Sequence, residues 1–183
     1  MGRKPASYAD LEALPENVVG ELIEGELYAS PRPASGHALA TTVLADELVG
    51  PFSRGKGGPG GWLLLFEPEL RLGRDVLVPD MAGWRRERMP EMPDTVGFTL
   101  PPDWVCEVLS PSTVVLDRER KMRVYAREGV RHVWLVDPKA RMLEVYRQEG
   151  SRWLLLGTHA GAVKVHAEPF EAHALELGAL WAR

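Results

Sequence analysis

"WVCEVLSPST", residues 104–113, places one acid inside a run that otherwise reads as a buried strand. Trp104, Val105, Cys106, Val108 and Leu109 offer no polar relief, and most of them favour extended backbone. Alternation puts Val105, Glu107 and Leu109 on one face and Trp104, Cys106 and Val108 on the other. A strand apolar on both faces is central in its sheet. An ionised carboxylate in such a place is costly unless it is paired, hydrogen-bonded or bound to a metal. Either an arginine or a metal would serve Glu107, and the two readings imply different proteins.

The surrounding chain supplies the rest of the fold. After "SPST" comes a helical segment and then "RHVWLVDP" (131–138), a strong strand. Upstream, Ser7 caps a short helix ended by Pro15. "VVGELIEGELYAS" (18–30) reads as a hairpin about Glu24-Gly25. Residues 37–50 carry Ala40, Leu44 and Leu48 at helical spacing. "SRGKGGPGG" (53–61) is a flexible loop without the order of a phosphate-binding loop. "WLLLFEPELRL" (62–72) and "VLVPDMAGW" (76–84) read as a second hairpin, and residues 85–101 as an exposed loop. "RMLEVYRQ" and "SRWLLLG" form a third hairpin about Glu149-Gly150. The tail "HALELGALWAR" adds a last strand or a docking segment. The order helix, hairpin, helix, hairpin, strand, helix, strand predicts a mixed α/β domain.

Bulk properties narrow the function classes. The chain has 183 residues, enough for a single domain spanning 1–183 with a real core. Its net charge of −4 argues against a strongly electrostatic nucleic-acid binder but leaves a local basic patch open. The single cysteine, Cys106, excludes an internal disulfide framework and suits a reducing compartment. No apolar run approaches the ~20 residues of a membrane span. The opening "MGRKPASYADLEAL" lacks the apolar centre of a secretory signal, so a cytoplasmic location is expected.

Three residues form a candidate constellation. Asp80 follows Pro79, which lacks a ladder donor and marks a strand edge or bulge; the competing reading is a turn that ends the strand. Two acids on neighbouring strands suit a divalent cation, since Mg²⁺ takes one or two carboxylates, waters and substrate phosphate. Lys121 lies in the helix after Glu107. If Asp117 is the N-cap, Lys121 sits about 6 Å along that helix, level with Glu107 when the helix folds back. If Ser110 is the N-cap, Lys121 lies far down the helix. The competing reading leaves Lys121 on a solvent-facing charged face, paired with Asp117. Acid, acid and lysine are what metal-dependent phosphodiester hydrolysis requires: carboxylates for Mg²⁺, and an ammonium to orient water and stabilise the pentacovalent transition state.

Asp80 in "PD", Glu107 in "EVLS" and the downstream lysine resemble the PD-(D/E)XK nuclease superfamily. The longer pattern "ELIEGEL", His37, "VPD", "EVLSPST", "D…K…Y…GV", "VWLVDP" resembles one bacterial branch of restriction endonuclease-like proteins. The resemblance runs from about residue 20 to 147. It implies a restriction endonuclease-like core with a central mixed sheet flanked by helices, Mg²⁺ (or Mn²⁺) dependence and DNA cleavage. The chain departs from the superfamily at Leu109, where the lysine usually stands. The resemblance implies that Lys121 has taken over that role and that Glu21, the acid opening "ELIEGEL", completes the site. His37 is a secondary candidate, with a packed or capping histidine as the bland alternative.

The expectation is a Mg²⁺-dependent endonuclease with its core at about 18–147 and a C-terminal hairpin and tail at 148–183. It would act on DNA before RNA, as a homodimer. Asp80 and Glu107 would bind metal, with Lys121 and Glu21 catalytic beside them. Arg54, Lys56, Arg85, Arg86 and Arg88 would contact phosphates from flexible loops. The rivals are a catalytically inactive binding module on the same fold, and an interaction protein dimerising through the third hairpin.

Overall fold

The structure, a computed structural model, describes residues 4–182. Met1–Arg3, part of the opening stretch read as lacking a signal, and Arg183 of the tail lie outside them. β8 (Trp104–Val108) is buried at every position. It pairs in parallel with β9 (His132–Asp137) and antiparallel with β6 (Met81–Arg85). These are the middle of a six-stranded mixed sheet, completed by β10 (Met142–Glu149) and β11 (Arg152–Ala160) beyond β9 and by β3 (Trp62–Phe66) beyond β6. The central position expected for the "WVCEV" strand is thus observed.

The two faces of β8 feed two cores. The first helix is α1 (Tyr8–Glu12), and Trp104, Cys106 and Val108 pack with Ala40, Leu44 and Leu48 of α2 (Ser35–Leu48). The tail closes the same side. A two-residue strand at Leu175–Glu176 is followed by a 3₁₀ turn at Leu177–Trp181, so it is both strand and docking segment. Phe170 centres this core, its ring 4.7 to 5.6 Å from those of Phe52, Trp62, Trp104 and Trp134, distances at which aromatic pairs attract. On the other side Val105 and Leu109 meet Val124 and Tyr125 of α3 (Met122–Arg127) and a second sheet. That sheet has five strands in the order β2 (Glu26–Pro31), β1 (Val18–Ile23), β5 (Asp75–Leu77), β4 (Glu69–Leu72), β7 (Gly97–Phe98). β1 and β2 turn at Glu24 (φ 52°) and Gly25 (φ 80°), the paired left-handed residues of a tight hairpin.

Two expectations change. The long second hairpin is divided between the sheets: β4 pairs with β5 in one, β3 with β6 in the other. Pro68 and Pro79 have no N–H to continue a ladder, and Glu67 turns left-handed (φ 43°) between β3 and β4. The Glu67 N–H donates to the Asp80 carbonyl across the break, 3.1 Å. Asp80 therefore sits at the mouth of the split, one residue before β6. The loop at 85–101 is also more ordered than its composition suggests, with Met89 buried, Phe98 packed in the core and β7 paired in parallel with β4.

Phe170→Ala is expected to cost about 3–5 kcal/mol. Urea denaturation should show a lower midpoint with an unchanged slope; a loss under about 1 kcal/mol would mean the surrounding rings close over the gap.

Candidate active site

The helix after β8 begins at neither anticipated cap. The Ser110 carbonyl accepts the Thr113 and Val114 N–H groups in a turn, and helix begins at Val114. Residues Leu116–Lys121 form a widened π-helical turn leading into α3. Such bulges reorient side chains, often at functional sites. Here Asp117 and Lys121 are turned inward together.

Lys121 is the only buried cation among the described residues. Its ammonium lies 2.8 Å from Glu21 Oε1, 3.2 Å from Asp117 Oδ1 and 3.3 Å from both Glu107 oxygens. The Tyr125 hydroxyl donates a short hydrogen bond to Glu107 Oε1. The Val78 N–H donates to Glu21 Oε1, 2.8 Å. Glu21 belongs to the middle of its sheet, between β2 and β5, and is no edge residue. Lys121 pairs with Asp117 as in the competing reading, but in the interior and with two further acids. Glu107 is thus answered by a lysine and a tyrosine; among the described residues no arginine reaches it.

Asp80 approaches the same place from the other side. Its Oδ2 accepts the Val108 N–H at 2.7 Å, next to Glu107 in sequence, and its Oδ1 lies 3.0 Å from His37 Nε2. A cleft of about 300 Å³ is lined by Glu21, Glu67, Asp80, Glu107 and Lys121, with Arg32 at its wall. His37 enters it from the first turn of α2, and its Nδ1 is buried with no hydrogen-bond partner among the described residues.

The charges do not balance. Burial pushes the Glu107 carboxyl well above the usual carboxylate range against the opposing charge of Lys121, and Asp117, Asp80 and Glu21 push it further. Burial raises Glu21 likewise, with Lys121 opposing. For Lys121 burial favours the neutral amine, but Glu107, Glu21 and Asp117 outweigh it and hold the ammonium well above its ordinary value. Tyr125, raised by burial and by Glu107, stays a phenol donor. Burial works against a charged His37, yet Asp80 raises it above the ordinary value. Glu67 is raised by burial and by Asp80. Among the described residues one firm cation thus faces several acids, and the raised carboxyl values are the expression of that imbalance.

A family model described as "Putative restriction endonuclease", Uma2, matches residues 5–179. The chain belongs to the Uma2 family. A solved structure from Anabaena variabilis, described as a putative nuclease belonging to DUF820, superposes with a TM-score of 0.75 at 21% identity, over 97% of this chain and 98% of that one. That likeness shares the fold. No curated protein matches the chain.

This Uma2 chain brings Glu21, Asp80, Glu107, Lys121 and His37 to one cleft, and adds Asp117 and Tyr125. Asp117 was anticipated as an N-cap or as a surface partner of Lys121, and its burial was what the sequence hid, inside "DRERKMR", which looks solvated. Arg54, Lys56, Arg85, Arg86 and Arg88 are not brought there. Arg85 lies over the Trp62 ring at the far end of β6, roughly 16 Å along the strand from Asp80. Arg88 is held by Asp103 and the Pro101 carbonyl, and Arg86 by the Pro90 carbonyl. The loop carrying Arg54 and Lys56 leads into Trp62, which is in register with Arg85. Among the described residues no three His, Cys, Asp or Glu side chains form a ready-made metal cage. Mg²⁺ needs none, since waters and phosphate complete its octahedron. The all-oxygen donors and the unbalanced negative charge fit a hard divalent cation at Asp80 and Glu107.

Lys121→Met should destabilise the protein by about 3–5 kcal/mol at pH 8, because it strands buried carboxylates. The loss should shrink towards pH 5. Acids whose folded pKa is raised above 4.5 take up protons in the folded state first, so stability falls as pH rises through the folded value. Urea titrations at both pH values would check this; equal losses would place the effect outside the carboxylates.

Proposed function

We propose that the protein is a Mg²⁺-dependent endonuclease that hydrolyses phosphodiester bonds in DNA. The observation that carries this reading is the position of the Lys121 ammonium, 3.3 Å from both Glu107 oxygens in the cleft that also receives Asp80. Leu109 stands where the superfamily lysine is expected, and Lys121 reaches the same acid from the helix side. Asp80 and Glu107 would hold the cation, which when bound lowers the pKa of water and neutralises phosphate charge. Lys121 orients the attacking water and stabilises charge on the transition-state phosphoryl oxygens. Glu21 and Asp117 keep Lys121 protonated and fixed in place. His37 holds one Asp80 oxygen and the Val108 N–H holds the other, which sets that carboxylate's orientation. Cutting both strands needs two sites, and a two-fold dimer would supply them. The buried free Cys106 suits a cytoplasmic setting.

A second reading, a catalytically inactive module on the nuclease fold, is favoured by one observation: Lys121 and Tyr125 already engage Glu107. Plasmid cleavage in Mg²⁺ or Mn²⁺, paired with calorimetric Mg²⁺ titration, separates the two. The enzyme should bind Mg²⁺ and nick plasmid, and Glu107→Gln and Asp80→Asn should reduce cleavage to background. Cleavage that survives Glu107→Gln would sink the active site, and wild-type protein that takes up no metal would favour the inactive module.

A further inference from the structure

The sheet edge that carries the site continues beyond it. β8 and β9 are parallel and in register from Trp104↔His132 to Val108↔Val136, so their C-terminal ends share one edge. Ligands of open α/β sheets gather at such edges. Glu107 and Ser110 leave β8 there, and the turn Pro138–Arg141 leaves β9 beside them. A second cavity of about 550 Å³ opens over this turn, lined by His37, Leu39, Ser110, Lys139, Arg141 and Trp181. It shares Ala34, His37, Ser110 and Pro111 with the acidic cleft, so the two form one trough.

The charges along the trough are ordered. The turn is fixed by Asp137, whose Oδ1 accepts the N–H groups of Lys139 and Ala140, each at 2.9 Å. The Arg141 carbonyl accepts the Gly161 N–H at 3.0 Å. The Asp137 Oδ1 is thereby spent on backbone, and Lys139 and Arg141 make no ion pair among the described residues. Arg32, at the other side of the acidic cleft, makes none either. The helix cations Arg118, Arg120, Arg123 and Arg127 are all paired with acids. α2 begins between the two cationic sides with no side-chain cap, which leaves its first N–H groups without helical acceptors. The acidic centre alone repels a polyanion, so a phosphate chain needs anchors outside it.

We propose that this trough is the path of the substrate strand, with phosphates flanking the cleaved linkage held by Lys139 and Arg141 on one side and by Arg32 on the other. The assignment rests on the endonuclease reading and moves the phosphate contacts away from Arg54, Lys56, Arg85, Arg86 and Arg88. A Lys or Arg against phosphate contributes through counterion release, so its loss shows in the salt dependence of binding.

The test is an anisotropy titration of a short fluorescein-labelled DNA duplex in Ca²⁺ buffer over a range of salt. Lys139→Glu with Arg141→Glu should weaken binding by on the order of 10-fold and lower the slope of log K against log salt by about 2. The milder Lys139→Gln with Arg141→Gln should lower the slope with an unchanged melting temperature. Arg54→Glu with Lys56→Glu should move affinity less than about 2-fold. Unchanged binding in the Lys139/Arg141 variants, or an equal loss in the Arg54/Lys56 variant, overturns the trough. Wild-type cleavage with an unaltered KM in the Lys139/Arg141 variants overturns the trough and leaves the endonuclease reading standing. Binding that depends on Lys139 and Arg141 in a protein that cleaves nothing supports the trough and removes the endonuclease reading.

Discussion

One ammonium group holds the molecule's chemistry together. Lys121 sits where the widened turn before α3, the central strand β8 and the inner strand β1 of the second sheet all present a carboxylate. None of the three acids could be buried alone without a large desolvation cost. None could keep a fixed orientation without a donor to define it. The apolar faces of β8 decide where the sheets pack, and Lys121 decides how they are oriented around the cleft.

The buried acids of this protein fall into two kinds, and the difference lies in their partners. Asp75 takes the Glu24 N–H and the Arg127 guanidinium, and Asp103 takes the Arg85 N–H and Arg88. Each has its own arginine and a backbone donor, which is the arrangement of a structural anchor. Glu21, Glu107 and Asp117 divide a single lysine, and Asp80 adds its charge from across the cleft. Burial of an acid is thus a poor marker of function. An excess of buried acid over buried base is a better one, because it leaves a demand that a ligand can meet.

Much of this was legible in the sequence. The alternation in "WVCEVL" gave the central strand and its two faces, because period-two packing is local. The Glu24-Gly25 and Glu149-Gly150 turns gave two hairpins, because left-handed backbone has few suppliers. The resemblance in motif order located Asp80, Glu107 and Lys121, and the structure gathers them into one cleft. The split of the second hairpin was hidden, since each proline reads as an edge and only the sheet pairings show that the two halves part company. The burial of Asp117 was hidden because a run of alternating charge looks the same on paper whether it faces water or is turned inward by a π-helical step. That the loops carrying Arg54, Lys56, Arg85, Arg86 and Arg88 lie away from the cleft was hidden, because a loop's composition does not say which edge of a sheet it overhangs.

The divided hairpin has a mechanical consequence. Glu21 belongs to one sheet and Glu107 to the other, and beside the cleft the chain passes between the sheets through two short proline-bearing joints, at Pro68 and Pro79. The cleft is therefore a seam between two sheets, the plates of the domain. Anything that draws its acids together also fastens the plates, so occupancy of the site and stiffness of the whole domain become a single linked equilibrium.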